Sequence, residues 1–122
     1  MPATPNQILG ALGEQHALAH YERLGFELIE RNYRTPAGEI DLVVRDRTTT
    51  VFVEVKSRRS GGLDPLLSFT AAKRMRLRGL ARAWLLDHAA RPRTLAVRID
   101  LVAIVLDGCG GLLSLEQFED VA

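Results

Sequence analysis

Residues 38–46 read GEIDLVVRD and residues 50–60 read TVFVEVKSRRS, and these two stretches decide the fold. Side chains alternate across a strand, so the first places Ile40, Leu42 and Val44 on one face and Glu39, Asp41 and Val43 on the other. In the second, Val51, Val53 and Val55 face one way and Phe52, Glu54 and Lys56 the other. Both runs are rich in β-branched residues, and only a polar turn over Arg45 to Thr49 separates them, so they are expected to pair as an antiparallel hairpin.

Upstream, apolar positions at Leu9, Leu12, Ala17, Tyr21 and Leu24 predict an amphipathic helix from about Gln7 to Leu24, stopped by Gly25. Phe26 to Asn32 reads as a short strand, and Thr35-Pro36-Ala37-Gly38 supplies turn chemistry before the hairpin. Downstream, Arg58 to Ser68 contains Gly61-Gly62 and Pro65 and reads as a loop. Thr70 is the expected N-cap of a long helix reaching about His88, with Leu77, Leu80, Ala81, Trp84 and Leu85 as its buried stripe. Pro92 separates it from a strand over Thr94 to Leu106, where Val97, Ile99, Leu101, Ala103 and Val105 share a face. Asp107-Gly108 turns the chain, and Leu112 to Leu115 is expected to add an edge strand.

The resulting order is αβββαβ. It belongs to the α/β (α+β) class, with a central mixed sheet of four to five strands flanked by helices and the last long strand parallel to its partner through a right-handed crossover. The chain reads as one domain over 1–122, with a core over about 7–106 and an acidic C-terminal extension over 107–122.

Composition bounds the function. With 122 residues, 47% of them hydrophobic, the chain buries about two thirds of its unfolded surface without a disulfide or metal staple. No apolar run reaches the roughly 18 residues of a membrane span, and the N-terminal MPATPNQILG lacks signal-peptide character, so a cytoplasmic protein without membrane contact is expected. Cys109 is the only cysteine, which excludes an intramolecular disulfide and a thiolate zinc site. The net charge of +1 hides a segregated pattern. Both ends are acidic, whereas Lys56 to Arg82 carries eight bases (Lys56, Arg58, Arg59, Lys73, Arg74, Arg76, Arg78, Arg82) against Asp64 alone. Such a run is either a solvated helix face or a concentrated positive field.

The chemistry centres on the hairpin. Glu54 and Lys56 project from the same side of one strand, and Asp41 lies on its partner. Charged groups among apolar neighbours cost several kcal/mol unless paired or metal-bound. Two carboxylates and a backbone carbonyl make an oxygen-rich site suited to Mg²⁺, and a nearby ammonium can stabilise negative charge growing on an attacked phosphate. The alternative is a cross-strand salt bridge from Asp41 or Glu54 to Lys56. A Glu-x-Lys triplet alone arises by chance in roughly a third of chains this long; its strand setting, with an Asp on the preceding strand and a Glu on a preceding helix, makes it specific.

GEIDLVVRD followed by TVFVEVKSRRS, with a Glu on the first helix and a Lys near the start of the second, resembles the PD-(D/E)XK nuclease superfamily. More closely it resembles the YraN-like family of small bacterial proteins, related to Holliday-junction resolvases, and the likeness runs from about Gly10 to Leu106. It implies a restriction-endonuclease-like core and a metal-dependent endonuclease. Asp41 and Glu54 match the metal-binding carboxylates, Lys56 the active-site lysine, Glu14 the helix carboxylate completing the site, and Lys73 the basic residue heading the second helix. Ile40 replaces the superfamily's proline, which carries no chemistry. On this reading Asp41, Glu54, the Val55 carbonyl and Glu14 hold Mg²⁺ or Mn²⁺, and Lys56 orients the attacking water. Arg58, Arg59, Lys73, Arg74 and Arg76 bind backbone phosphates.

No aromatic platform or recognition helix marks base readout, so branched or irregular DNA, as in repair and recombination, is the expected substrate, and paired cuts on opposed strands suit a homodimer. The alternatives are a nucleic-acid-binding module that keeps the fold without cleaving, and a protein-interaction domain. Glu39 shares the parity of Asp41 and is either a supporting group or exposed. Arg98 and Asp100 are expected to pair structurally, and His16, His20 and His88 lack metal or triad spacing. Ser57 and Ser60 lie in no nucleophile elbow, and Gly61-Gly62 has no Walker ending.

Overall fold

A computed structural model describes residues 1–60, 65–89, 91 and 93–122. The predicted Gly61-Gly62 stretch, Asp64 and the Pro92 separator lie outside the described residues.

Helix α1 (Pro5–Arg23) begins two residues earlier than its apolar pattern indicates, because Thr4 and Gln7 form a reciprocal capping box and Pro5 is preorganised for the first turn. Strands β1 (Glu27–Thr35), β2 (Gly38–Arg45) and β3 (Thr49–Arg59) follow. A short 3-10 turn over Pro65–Ser68 leads to α2 (Ala71–Asp87), whose N-cap Thr70 accepts from the Lys73 backbone N–H. Strands β4 (Ala96–Leu106) and β5 (Leu112–Phe118) complete the chain.

The sheet order is β1-β2-β3-β4-β5. The β3–β4 pair is parallel, from Thr49↔Ala96 to Arg59↔Leu106, and the other pairs are antiparallel. The sheet is thus mixed, with the expected hairpin and the expected parallel last long strand. Arg58 and Arg59, read as loop, extend β3 because β4 continues to pair with them.

Each face of the sheet carries one helix. Ala17, Leu18 and Tyr21 of α1 pack on Leu42, Val44, Val51, Val53, Val102 and Ile104. Leu77, Leu80, Ala81 and Trp84 of α2 pack on Ile40, Val43, Phe52, Ile99 and Leu101. Leu24, counted among the apolar positions of α1, is 53% exposed: it is the C-cap that ends the helix.

Ile40 departs from simple alternation. It belongs to the α2 side with Val43, whereas Leu42 and Val44 face α1. The change falls where β2 has passed the end of its described pairing with β3 at Leu42↔Val53; on its other side Asn32 of β1 adopts a left-handed backbone (φ 51°) within an unshifted register from Arg31↔Leu42 to Tyr33↔Ile40.

The acidic C-terminal stretch is integral to the sheet. β5 pairs with β4, Val121 N–H donates to the Ile99 carbonyl, and Phe118 and Val121 pack on the α2-side core. Beneath it, fully buried Asp100 accepts from Tyr21 Oη (2.7 Å), Arg98 Nε (3.0 Å), Gln117 Nε2 (3.0 Å) and the Asp120 N–H (3.1 Å). Burial and the Asp100 charge push the Tyr21 phenol upward, so it stays a donor. The expected Arg98–Asp100 pair therefore ties α1, β4 and the C-terminus together. Among the described residues no helix is long and apolar enough to cross a membrane.

Candidate active site

The site forms where β2 and β3 part. Their described pairing ends at Leu42↔Val53, and one residue beyond, the buried Asp41 carboxylate accepts the Val55 N–H at 2.7 Å. A side chain thus takes the bond that a continuing ladder would make, and Asp41 is fixed between the strands beside Glu54.

Glu54 and Lys56 project together into a cleft of about 230 Å³, as their parity predicts. Glu39 from β2 and Lys73 and Arg76 from α2 line it, with Leu77 and Leu80 at its apolar wall. Gly38 makes this approach feasible. Its φ of 140° disfavours other residues, and a Cβ there would stand 3.2 Å from Arg76 Cδ.

Glu14 reaches the region because α1 lies close against β3 at Gly13. A Cβ on Gly13 would fall 1.6 Å from Ser57 Oγ, so only glycine admits this approach. Among the described residues, the buried Ser57 Oγ has no hydrogen-bond partner.

The electrostatics follow from this crowding. Burial, then the Glu54 charge, push Asp41 up to about 8, against the lowering effect of the Val55 N–H; Glu14 adds to the rise. Glu14 is itself raised, first by burial and then by Glu39, partly offset by Arg31 and Arg34. Lys73 is lowered, chiefly by the Lys56 ammonium. Like charges therefore crowd one another in two groups, the carboxylates of Asp41, Glu54 and Glu14 and the ammonium groups of Lys56 and Lys73. Among the described residues, neither Asp41 nor Glu54 forms an ion pair with Lys56, so the cross-strand salt bridge is not formed.

The remaining bases divide. Lys73 and Arg76 line the cleft, whereas Arg74 stacks 5.7 Å over the Phe69 ring and Arg59 Nη1 reaches the Gly108 carbonyl at 3.5 Å. Arg58 lies two residues beyond Lys56 on β3. Glu39, left open by the sequence, lines the cleft and pairs with Arg34 at 3.0 Å. Gly13 and Gly38 went unread as site residues; their only signal was a glycine where regular structure costs stability. His16 and His20 bond the Gly110 carbonyl and Gln117 Oε1, holding α1 to the β4–β5 hairpin.

The donor set fits a hard divalent cation in one respect. Mutually repelling carboxylates with a buried member are relieved by positive charge, and Mg²⁺ takes only one or two protein carboxylates. Among the described residues, no group of three His, Cys, Asp or Glu is gathered as a metal cage.

A mixed five-stranded sheet between two helices, with carboxylates and lysines converging where two strands diverge, defines a small α+β protein with an acid–base cleft. The chain belongs to the uncharacterised protein family UPF0102, the YraN family, whose model matches residues 13–104. It is 44% identical over 119 residues to a UPF0102 protein of Corynebacterium efficiens, covering 97% of this chain and 94% of the relative. It is 46% identical over 112 residues to one of Acidothermus cellulolyticus (84% and 85% covered) and 48% over 103 residues to one of Beutenbergia cavernae (84% and 86%). The matched span includes Glu14, Asp41, Glu54, Lys56 and Lys73.

Proposed function

We propose that this protein is a metal-dependent endonuclease acting on DNA, with branched or irregular DNA as its preferred substrate. The observation that carries the reading is the juxtaposition of the buried Asp41 with Glu54, facing a cleft that also holds Lys56, Lys73 and Arg76. A cluster of like charges on a buried carboxylate is costly in a scaffold and useful in a cation site.

Asp41 and Glu54 would hold Mg²⁺ or Mn²⁺ with the Val55 carbonyl as a further oxygen, and Glu14, close enough to raise the Asp41 carboxyl, would add negative charge from α1. The ion, when bound, lowers the pKa of a coordinated water and polarises the phosphate under attack. The Val55 N–H fixes the orientation of Asp41. Lys56 orients the attacking water and places positive charge where negative charge develops. Lys73 and Arg76 hold the scissile strand by its phosphates. A homodimer would present two such clefts to opposed strands.

The second reading is a nucleic-acid-binding module that retains the fold without cleaving, and the absence of a three-residue metal cage among the described residues favours it. The two are separated by incubating labelled four-way junction, flap, single-strand and linear duplex DNA with the protein and Mg²⁺ or Mn²⁺. Metal-dependent cutting that Glu54→Ala abolishes supports the nuclease; salt-sensitive binding with no cutting of any substrate supports the module.

A further inference from the structure

Helix α2 carries charge that the fold does not use. Lys73, Arg74, Arg76, Arg78 and Arg82 lie on it against a single acid, Asp87, which accepts from Tyr33 Oη at 2.6 Å. Residues three and four apart are neighbours on a helix, and none of these bases has a carboxylate at those positions. They neighbour one another instead, Arg74, Arg78 and Arg82 at four-residue steps and Lys73 and Arg76 at three, and like charges so placed weaken a helix. Arg78 and Arg82 are exposed, and among the described residues neither enters an ion pair.

Gly79 sits among these bases. Arg76 lies three residues before it, Arg82 three after and Arg78 beside it, and all four positions are exposed. A glycine inside a helix weakens it relative to alanine. Nothing in the chain calls for one here: among the described residues a Cβ at Gly79 would meet no atom within 4 Å, and its backbone is not left-handed. Gly13 and Gly38 differ, since Ser57 and Arg76 crowd them. Gly10 of α1 is open in the same way, but no base lies within four residues of it. A bare helix backbone with no internal contact admits close approach from outside. Arg76 also lines the cleft of Glu54 and Lys56, so the patch continues that cleft along α2, with Arg76 and Arg82 about 9 Å apart along the axis. An extended polyanion relieves the repulsion along this whole row, and guanidinium forks match its phosphates.

We propose that Gly79 is the seat of a DNA backbone that leaves the cleft along α2, gripped beside the helix by Arg78 and Arg82. The seat rests on the nucleic-acid reading of the cleft and is independent of cleavage.

The full-length protein is titrated with a labelled four-way junction in Ca²⁺ over a range of chloride concentrations. Arg78→Gln/Arg82→Gln is expected to weaken binding at least about tenfold at low salt and to reduce the slope of log affinity against log salt by about two. Arg23→Gln/Arg47→Gln removes the same charge from exposed positions elsewhere, and its affinity is expected to stay within about twofold of the parent because distant charges are screened. Gly79→Leu is expected to raise the thermal midpoint, since leucine is the better helix former and the position is open, and yet to weaken junction binding severalfold. A glycine that serves only the fold would not set stability against binding. Unchanged affinity in Gly79→Leu or in Arg78→Gln/Arg82→Gln, or an equal loss in Arg23→Gln/Arg47→Gln, overturns the seat and leaves the reading of the cleft standing. No salt-dependent binding by the parent overturns both, and salt-dependent self-association in its place assigns the face to the acidic C-terminal stretch of a second copy.

Discussion

Asp41 gives the most quantitative prediction. Its carboxyl is pushed from 3.8 up to about 8 in the folded protein, first by burial and then by Glu54. A group with a raised folded pKa favours the folded state when protonated. Its contribution is complete below pH 3.8 and is lost as pH rises through about 8. Between the ordinary value and pH 7 there are about three pH units at ~1.4 kcal/mol each, or of order 4 kcal/mol of stability lost through this carboxyl. A divalent cation that binds the ionised cluster reverses the loss and displaces about one proton per ion at pH 7. Chemical denaturation between pH 5 and 8, with and without Mg²⁺, measures the first effect, and calorimetry in buffers of different ionisation enthalpy counts the proton. Asp41→Asn should flatten the pH dependence over this window and abolish Mg²⁺ stabilisation and proton release together. Stability that rises from pH 5 to 8, or Mg²⁺ stabilisation undiminished in Asp41→Asn, would refute the reasoning.

Other predictions follow from packing. Gly13→Ala places a methyl on Ser57 Oγ and should cost about 2 kcal/mol; Ser57→Gly in the same chain should recover much of it, as a double-mutant cycle in urea checks. Asp100→Ala leaves Arg98 with only its longer Glu119 contact at 3.7 Å and removes the acceptor of Tyr21, so a loss of about 3 kcal/mol is expected by denaturant unfolding. Thr4→Ala removes the capping box of α1 and should lower stability by about 1 kcal/mol without altering any property of the cleft, as denaturation and Mg²⁺ titration together test.

Much of this structure is legible in the sequence because its elements keep their periods. The alternation in VFVEVK places Glu54 and Lys56 on one side of β3, and the Leu77, Leu80, Ala81 and Trp84 stripe identifies the face of α2 that meets the sheet. Alternation fails at Ile40, beyond the last described β2–β3 pair at Leu42↔Val53, and no pattern within β2 records where its partner strand parts from it. β5 runs on to Phe118 although its polar residues dilute the apolar signal, because pairing with β4 supplies what local propensity lacks. No pattern within α1 singles out Glu14, which stands near the cleft because of the contact of Gly13 with Ser57. That contact joins residues far apart in sequence.

The central claim, that the Asp41–Glu54–Lys56 cleft cleaves DNA, is tested most directly by single-turnover cutting of a labelled four-way junction with Mg²⁺. Parent protein and Lys56→Ala are compared, and junction binding is measured in parallel in Ca²⁺. The account predicts cutting by the parent, loss of cutting by at least about a hundredfold in Lys56→Ala, and junction binding retained within a few fold. Equal cutting by the two proteins would contradict it.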